Sequence, residues 1–202
     1  MANRFIIVLA SSSPRRRQLL EQVGISFEAT DPREVETAMG GPEERAVGNA
    51  LAKARKVAEE RREGLVVGAD TVVVFEDEVL GKPDDAHEAM AMLRKLSGNV
   101  HSVITGMAVI DAASGKVETD FVETLVRMRP LSDEQIAAYV ATGEPFGKAG
   151  GYAIQDVGGL LVDEIRGCFY NVVGLPLSRL DGLLKMFKVQ LLGRPEDDGI
   201  PS

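Results

Sequence analysis

The chain is 202 residues long, 45% hydrophobic and 27% charged, enough apolar material for a sizeable core in one domain or two closely joined lobes. A formal net charge of −8 argues against nonspecific binding to a nucleic-acid backbone, yet leaves room for a local basic pocket serving a small anion. The single cysteine, Cys168, excludes an internal disulfide. With no charged-then-apolar leader and no apolar run of membrane-spanning length, the expectation is a cytoplasmic protein without nucleic-acid or membrane partners.

Phe5–Leu9 is a short unbroken apolar run, the pattern of a strand buried on both faces. Pro14 suits the first position of a helix, and Leu19, Leu20 and Val23 then recur at helical spacing up to Gly24. Ser26 to Thr30 reads as a brief extended piece and 31–42 as a polar, mobile loop. Pro42 to Arg62 forms an amphipathic helix with Ala46, Ala50, Ala54, Val57 and Ala58 near one face. Leu65–Ala69 is the next buried strand, followed by a hairpin of Thr71–Phe75 and Val79–Leu80 turning at Glu76-Asp77. Asp84 is placed to cap a helix running to Leu96, and Val100–Ala112 pairs with Val117–Arg129 about Ser114-Gly115. Ser132, with Glu134 and Gln135 in the first turn, caps a helix ending near Thr142. Residues 143–176 are glycine-rich, with a strand at Leu160 to Ile165, and Pro176 to Lys188 is the last helix. The alternation predicts an α/β fold with a mixed, twisted central sheet flanked by helices and a cleft between two lobes.

The start of the first helix reads as an anion cradle. Ser11, Ser12 and Ser13 supply hydroxyls, the helix dipole favours negative charge, and Arg15, Arg16 and Arg17 crowd the first turn. Cations there oppose the dipole, so three of them need a reason; the plainer alternative is a well-capped surface helix with an arginine-rich first turn. Gly68-Ala-Asp-Thr71 places a carboxylate where an apolar strand emerges, the end at which open α/β sheets bind ligands. Gly68 and Ala69 allow close approach of a substrate. Asp70 either holds a divalent metal and activates a water, or caps a turn. Lys53 and Lys82 are unremarkable singly; with Arg15 and Arg16 they make a four-cation set able to clamp a polyphosphate. Glu36, beside Asp31 and Glu34 in the polar loop, is either solvated or shares a magnesium ion with Asp70. In Gly143–Gln155 the glycines allow approach to a planar ring, and Gln155 offers a paired donor and acceptor suited to a base edge. Tyr152 reads as core, His87 as solvent-facing and His101 as a structural hydrogen-bonder. Walker A and Rossmann glycine fingerprints are both missing.

These segments together resemble the Maf family of nucleoside triphosphate pyrophosphatases: LASSSPRR at 9–16, GADTVV at 68–73, GKP at 81–83, LSGNVHSVITG at 96–106, GEPFGKAGGYAIQ at 143–155 and NVVGLPL at 171–177. They follow the family's order over nearly the whole chain. By composition, 189–202 is a polar tail expected to be disordered; the resemblance implies one catalytic domain over 1–188. It also implies cleavage between the α- and β-phosphates, a divalent cation (Mg²⁺ or Mn²⁺), and commonly a homodimer. By motif match Asp70 is the general base, Ser11, Arg15, Arg16, Lys53 and Lys82 engage phosphates, and Glu36 joins Asp70 on the metal. The Tyr-x-Ile-Gln form at 152–155 resembles the branch acting on dTTP and UTP, with Arg15, Thr71 and Gln155 at positions linked to base choice. Gly147, Gly151 and Asp156 depart from the residues usual there. Two rival readings are a purine- or 7-methyl-GTP-directed pyrophosphatase of the same family, and a noncatalytic nucleotide-binding regulator of division.

Overall fold

The computed structural model describes residues 6–33, 35 and 39–191. Seven strands form one mixed sheet: β1 (Ile7–Ala10), β2 (Phe27–Thr30), β3 (Leu65–Phe75), β4 (Glu78–Leu80), β5 (Val100–Asp111), β6 (Val117–Met128) and β7 (Val162–Arg166). Their order is β2-β1-β3-β5-β6-β7, with β4 also on β3. The β1 pairings to β2 and β3 are parallel and all others antiparallel. Helices α1 (Pro14–Gln22), α2 (Pro42–Ala58), α3 (Ala86–Leu96), α4 (Asp133–Val140), α5 (Phe169–Val173) and α6 (Leu177–Lys185) cover it.

The segment expected as two strands, 65–69 and 71–75, is one strand, β3. Asp70 lowers its β propensity, but the β-branched Thr71 does not, and the ladder runs unbroken along β5 from Leu65 to Val74. On its other edge, β1 ends with Ala10 opposite Gly68, and the antiparallel β4 ends with Leu80 opposite Val73. Between those two pairings, residues 69–72 have no strand beside them. That bare edge is where the cleft forms.

Strand alternation sorts the flanking layers. Val66 of β3 packs with Val8, Ala10, Ala108 and Ile110 against Ala50, Ala54 and Val57 of α2. Leu65, Val67 and Ala69 face the other way, onto Leu19 and Leu20 of α1 and Leu180, Leu183 and Leu184 of α6. Further along that second face, Val73 joins Val103, Leu93, Leu96, Ile136 and Tyr139 in a separate cluster. A polar seam divides the two clusters. Thr71 and Thr105 share a 2.9 Å hydrogen bond, and Thr105 donates to the carbonyl of the fully buried Asn171 at 3.0 Å. Asn171 in turn donates to Val103 O at 2.8 Å and to Thr124 Oγ1 at 2.9 Å.

Several boundaries differ from the sequence reading. The α3 cap is Asp85 rather than Asp84: Asp85 accepts the Glu88 N–H at 2.8 Å, while Glu88 takes the Asp84 N–H at 2.7 Å. Helix α2 stops at Ala58, and α6 is shorter than expected. The 143–176 segment contains an unforeseen helix, α5, and Val157–Leu161 is a 3-10 turn, so β7 starts only at Val162. Val189 is buried in the first cluster and Leu191 packs on it; residues 192–202 lie outside the described residues.

Gly68 and Gly106 stand on the α2 face. A Cβ on Gly68 would overlap the Ala50 carbonyl oxygen, and one on Gly106 the backbone of Ala46 and Val47. The space at Gly68 is therefore filled by helix α2, not left for a substrate. Gly68→Ala and Gly106→Ala should each lower unfolding free energy by about 2–3 kcal/mol, the cost of overpacking a site that cannot relax. Urea denaturation checks this, and wild-type midpoints would contradict it.

Candidate active site

A cavity of about 580 Å³ lies along the bare edge of β3. Ser11, Ser12, Ser13, Pro14, Arg15 and Arg16 form one wall. Helix α1 opens there with Ser13 at its N-cap, no side-chain cap bond and no acid in its first turn, so the chain itself does not neutralise the positive end of the dipole. Ser11 is buried, and its hydroxyl accepts the Ser13 N–H and Arg16 Nη1, both at 3.2 Å.

Arg16 is tied down on three sides. Besides Ser11, its Nε donates to Gly174 O at 2.8 Å and its Nη2 to Thr71 Oγ1 at 3.1 Å. A guanidinium has five N–H donors, so this bracing still leaves donors for a ligand. Burial pushes its pKa down to about 10, with Asp70 opposing and Arg15 adding to the shift, so it remains cationic at neutral pH. Burial also lowers Arg15, against the raising fields of Asp156, Tyr139 and Glu144, and its Nε is buried with no hydrogen-bond partner. Arg17 Nε is buried without a partner as well. Arg17 does not line the cavity, so the expected three-arginine cradle is a pair.

Asp70 projects to the α2 face, opposite to Thr71, as alternation along β3 requires. There Lys53 Nζ donates to Oδ1 at 2.6 Å and Asn49 Nδ2 to Oδ2 at 3.1 Å. Asn49 and Lys53 are one helical turn apart on α2, so they meet the carboxylate together. Sequence reading passed over Asn49. The available signal was a polar residue poorly suited to a helix interior, i−4 to a singled-out lysine. Lys53, read as a phosphate ligand, sits on Asp70; its ammonium carries three donors and Asp70 takes one.

Lys82 lines the cavity from the segment after β4, steadied by the Gly150 N–H on Gly81 O at 2.9 Å. Gly150 has φ +70°, and a Cβ there would press on Val73, so this glycine serves a close protein contact, not a planar ring. The far wall holds Phe146, Gly147, Lys148, Ala149 and the run from Tyr152 to Asp156, with Gln155 exposed to the cavity. Lys148 is a fifth cation that the sequence reading left out; burial lowers its pKa first, then Arg15. Thr71 lines the cavity, but its hydroxyl is engaged by Arg16 and Thr105.

Every sequence-predicted site residue except Glu36 thus lines this one cavity: Ser11, Arg15, Arg16, Lys53, Asp70, Thr71, Lys82 and Gln155. Glu36 lies outside the described residues. Among the described residues, no cluster of three His, Cys, Asp or Glu side chains could cage a metal, and no helix is long and apolar enough to cross a membrane. Asp31 and Asp156 are further carboxylates on the cavity wall, Asp156 on the side of Gln155. One or two carboxylates are the donor set of a hard cation that takes its remaining ligands from phosphate oxygens and water.

A cationic cleft around one braced aspartate, on a mixed α/β sheet, is suited to a small anionic ligand. The chain belongs to the Maf-like protein family, whose model matches residues 6–187. It is 48% identical over 189 residues to a protein of Dictyoglomus turgidum named dTTP/UTP pyrophosphatase, covering 92% of this chain and 98% of the relative. Proteins of the same name from Pelotomaculum thermopropionicum and Ruminiclostridium cellulolyticum are 50% and 47% identical, with the same coverage.

Behind the cavity wall, His101 Nε2 and the Tyr152 hydroxyl share a 2.7 Å hydrogen bond, while His101 Nδ1 is buried without a partner. Tyr152 is in the core as expected, yet it also reaches the cavity. Burial pushes the imidazole pKa down to about 4. The unfolded chain takes up that proton near pH 6.5, so stability is lost as pH falls from about 6.5 towards 4, by up to about 3 kcal/mol. His101→Gln should flatten this acid limb in urea titrations across that range. An unchanged slope in the variant would assign the limb to other groups.

Proposed function

We propose that this protein is a nucleoside triphosphate pyrophosphatase that hydrolyses dTTP and UTP to the nucleoside monophosphate and pyrophosphate. One observation carries the reading: Arg15, Arg16, Lys53, Lys82 and Lys148 surround a cavity that also contains Asp70. A chain of net charge −8 concentrates cations in this way only where a polyanion is to be held. The names of the relatives and the match of Gln155 to the pyrimidine branch support the base preference.

The chemistry follows from the placements. Arg15, Arg16 and Lys82, with the N-terminal amides of α1, bind the triphosphate and stabilise charge that develops on the leaving group. Asp70 accepts a proton from water as the water oxygen bonds to the α-phosphorus. The bond from that phosphorus to the bridging oxygen breaks, and pyrophosphate leaves with the electron pair. Asn49 and Lys53 fix the carboxylate so that it faces the cavity rather than rotating onto the sheet. A divalent cation, Mg²⁺ or Mn²⁺, belongs to this proposal, held by Asp70 with Asp31 or Glu36; when bound it withdraws negative charge from the α-phosphoryl oxygens. Gln155 reads the edge of the base. A homodimer, cytoplasmic residence and a role in clearing noncanonical nucleotides complete the reading by resemblance; sedimentation at the monomer mass would remove the dimer from it.

Asp70→Asn should lower pyrophosphate release from dTTP by about 10³-fold, the usual scale of a general base, while dTTP binding by calorimetry stays within a few-fold. Undiminished turnover in that variant would refute the role of Asp70. Chelation with EDTA should abolish release, and Mg²⁺ or Mn²⁺ should restore it; turnover that persists in chelator removes the metal from the scheme.

A further inference from the structure

Gln155 sits in a stretch, Ile154–Asp156, that belongs to no strand or helix, so something other than a backbone ladder must hold it. The holding group is a carboxylate outside the cavity lining. Glu144 Oε1 accepts the Tyr139 hydroxyl and the Gly158 N–H, both at 2.9 Å, and Oε2 accepts the Val157 N–H at 3.0 Å. The same Tyr139 hydroxyl accepts the Ala153 N–H at 3.2 Å. One carboxylate and one phenol therefore grip the backbone on both sides of Ile154–Asp156, through charge-assisted bonds on the far side.

The grip is braced from behind and closely packed. Thr142 Oγ1 accepts the Glu144 N–H at 3.1 Å, and Lys148 Nζ donates to the Glu144 carbonyl. Gly158 leaves no room for a side chain: a Cβ there would overlap Ala153 O and come within 2.7 Å of Tyr139 Oη and 3.0 Å of Glu144 Oε1. Burial, and then the bond to Glu144, raise the Tyr139 pKa above the ordinary phenol range, so the hydroxyl keeps its proton and can donate and accept at once. Across the cavity, Arg16 and Asp70 are anchored by other groups, Arg16 on Ser11, Thr71 and Gly174, and Asp70 on Lys53 and Asn49.

We propose that Glu144, acting with Tyr139, is the positioning residue for base selection: it touches no substrate but sets where Gln155 and its flanking backbone meet the base. This rests on the reading of the 152–155 segment as the base reader given above. Glu144 also contributes to the field at Arg15, so an effect through the phosphates is the competing explanation.

Glu144→Gln and Tyr139→Phe separate the two. An amide at position 144 turns a donor towards the N–H of Val157 or its neighbours. Tyr139→Phe keeps an aromatic ring in the apolar cluster and serves if the first variant fails to fold. In Glu144→Gln, KM for dTTP should rise about 10-fold or more, kcat should stay within about 3-fold, and the preference for dTTP over GTP in kcat/KM should fall about 10-fold. Tyr139→Phe should move the same quantities by less. Inhibition by inorganic tripolyphosphate, which has no base, should be unchanged within about 3-fold. Hydrogen exchange should show lost protection at the Val157 and Gly158 amides in the first variant and at Ala153 in the second. The proposal is overturned if both variants lose only thermal stability, or if tripolyphosphate and all nucleotides weaken equally. A wild-type enzyme that prefers another base refutes the pyrimidine reading alone, because the clamp still predicts loss of that other preference. A wild type with no base preference overturns both.

Discussion

β3 is longer than the parallel strand beside it, and the site depends on that mismatch. β1 stops opposite Gly68 and β4 reaches back only to Val73, while β5 pairs with the other edge without interruption. The continuous β5 ladder holds residues 69–72 rigid, and the missing neighbour opens one side of them to a ligand. A shorter β3 would have no exposed edge. A longer β1 would fill the gap with main chain. Open α/β sheets bind at such a discontinuity, where a strand's neighbour is lost and a helix start points inwards.

Alternation then splits the work between the two faces of β3. Asp70 turns to α2, where Lys53 and Asn49 meet it, and Thr71 turns to the opposite face, where Arg16 does. Helix α2 lies close enough to reach Asp70 because Gly68 and Gly106 let its backbone approach the sheet. The glycine beside the aspartate therefore serves the site indirectly, by seating the helix that carries the lysine. On the other face, the seam from Arg16 through Thr71 and Thr105 to Asn171 runs between two apolar clusters, and ties α1 to α5.

Cations in this cleft are costly to assemble, and the structure offsets the cost in different ways. Arg16 commits three donors to neutral acceptors, an arrangement that fixes its plane while burial lowers its pKa. Arg15 has weaker support: the acids Asp156 and Glu144 act on it at a distance, and its Nε has no partner. The unequal bracing distinguishes a guanidinium fixed in plane by the protein from one whose Nε the protein leaves without an acceptor.

Local chemistry was sufficient for several elements. Pro14 after a serine run, the Ser132 and Gln135 capping box, and the turn at Ser114-Gly115 each specify their geometry through backbone constraints within a few residues. Clustering of charge in ordered motifs also marked Asp70, Arg15, Arg16 and Lys82 as members of one site. Other features depend on partners distant in the chain. Asn49 and Glu144 gain their roles only when α2 is laid over β3 and when residues 153–158 fold back onto α4; neither has a local signal stronger than an ordinary polar residue. The continuity of β3 through Asp70, and the withdrawal of Arg17 from the cavity, were likewise set by strand pairing and helix phase. Sequence alone determined which groups are present and the short-range geometry that caps, turns and alternation impose. Which groups face one another was decided by packing, because contacts between residues dozens of positions apart depend on the whole sheet and not on any segment of it.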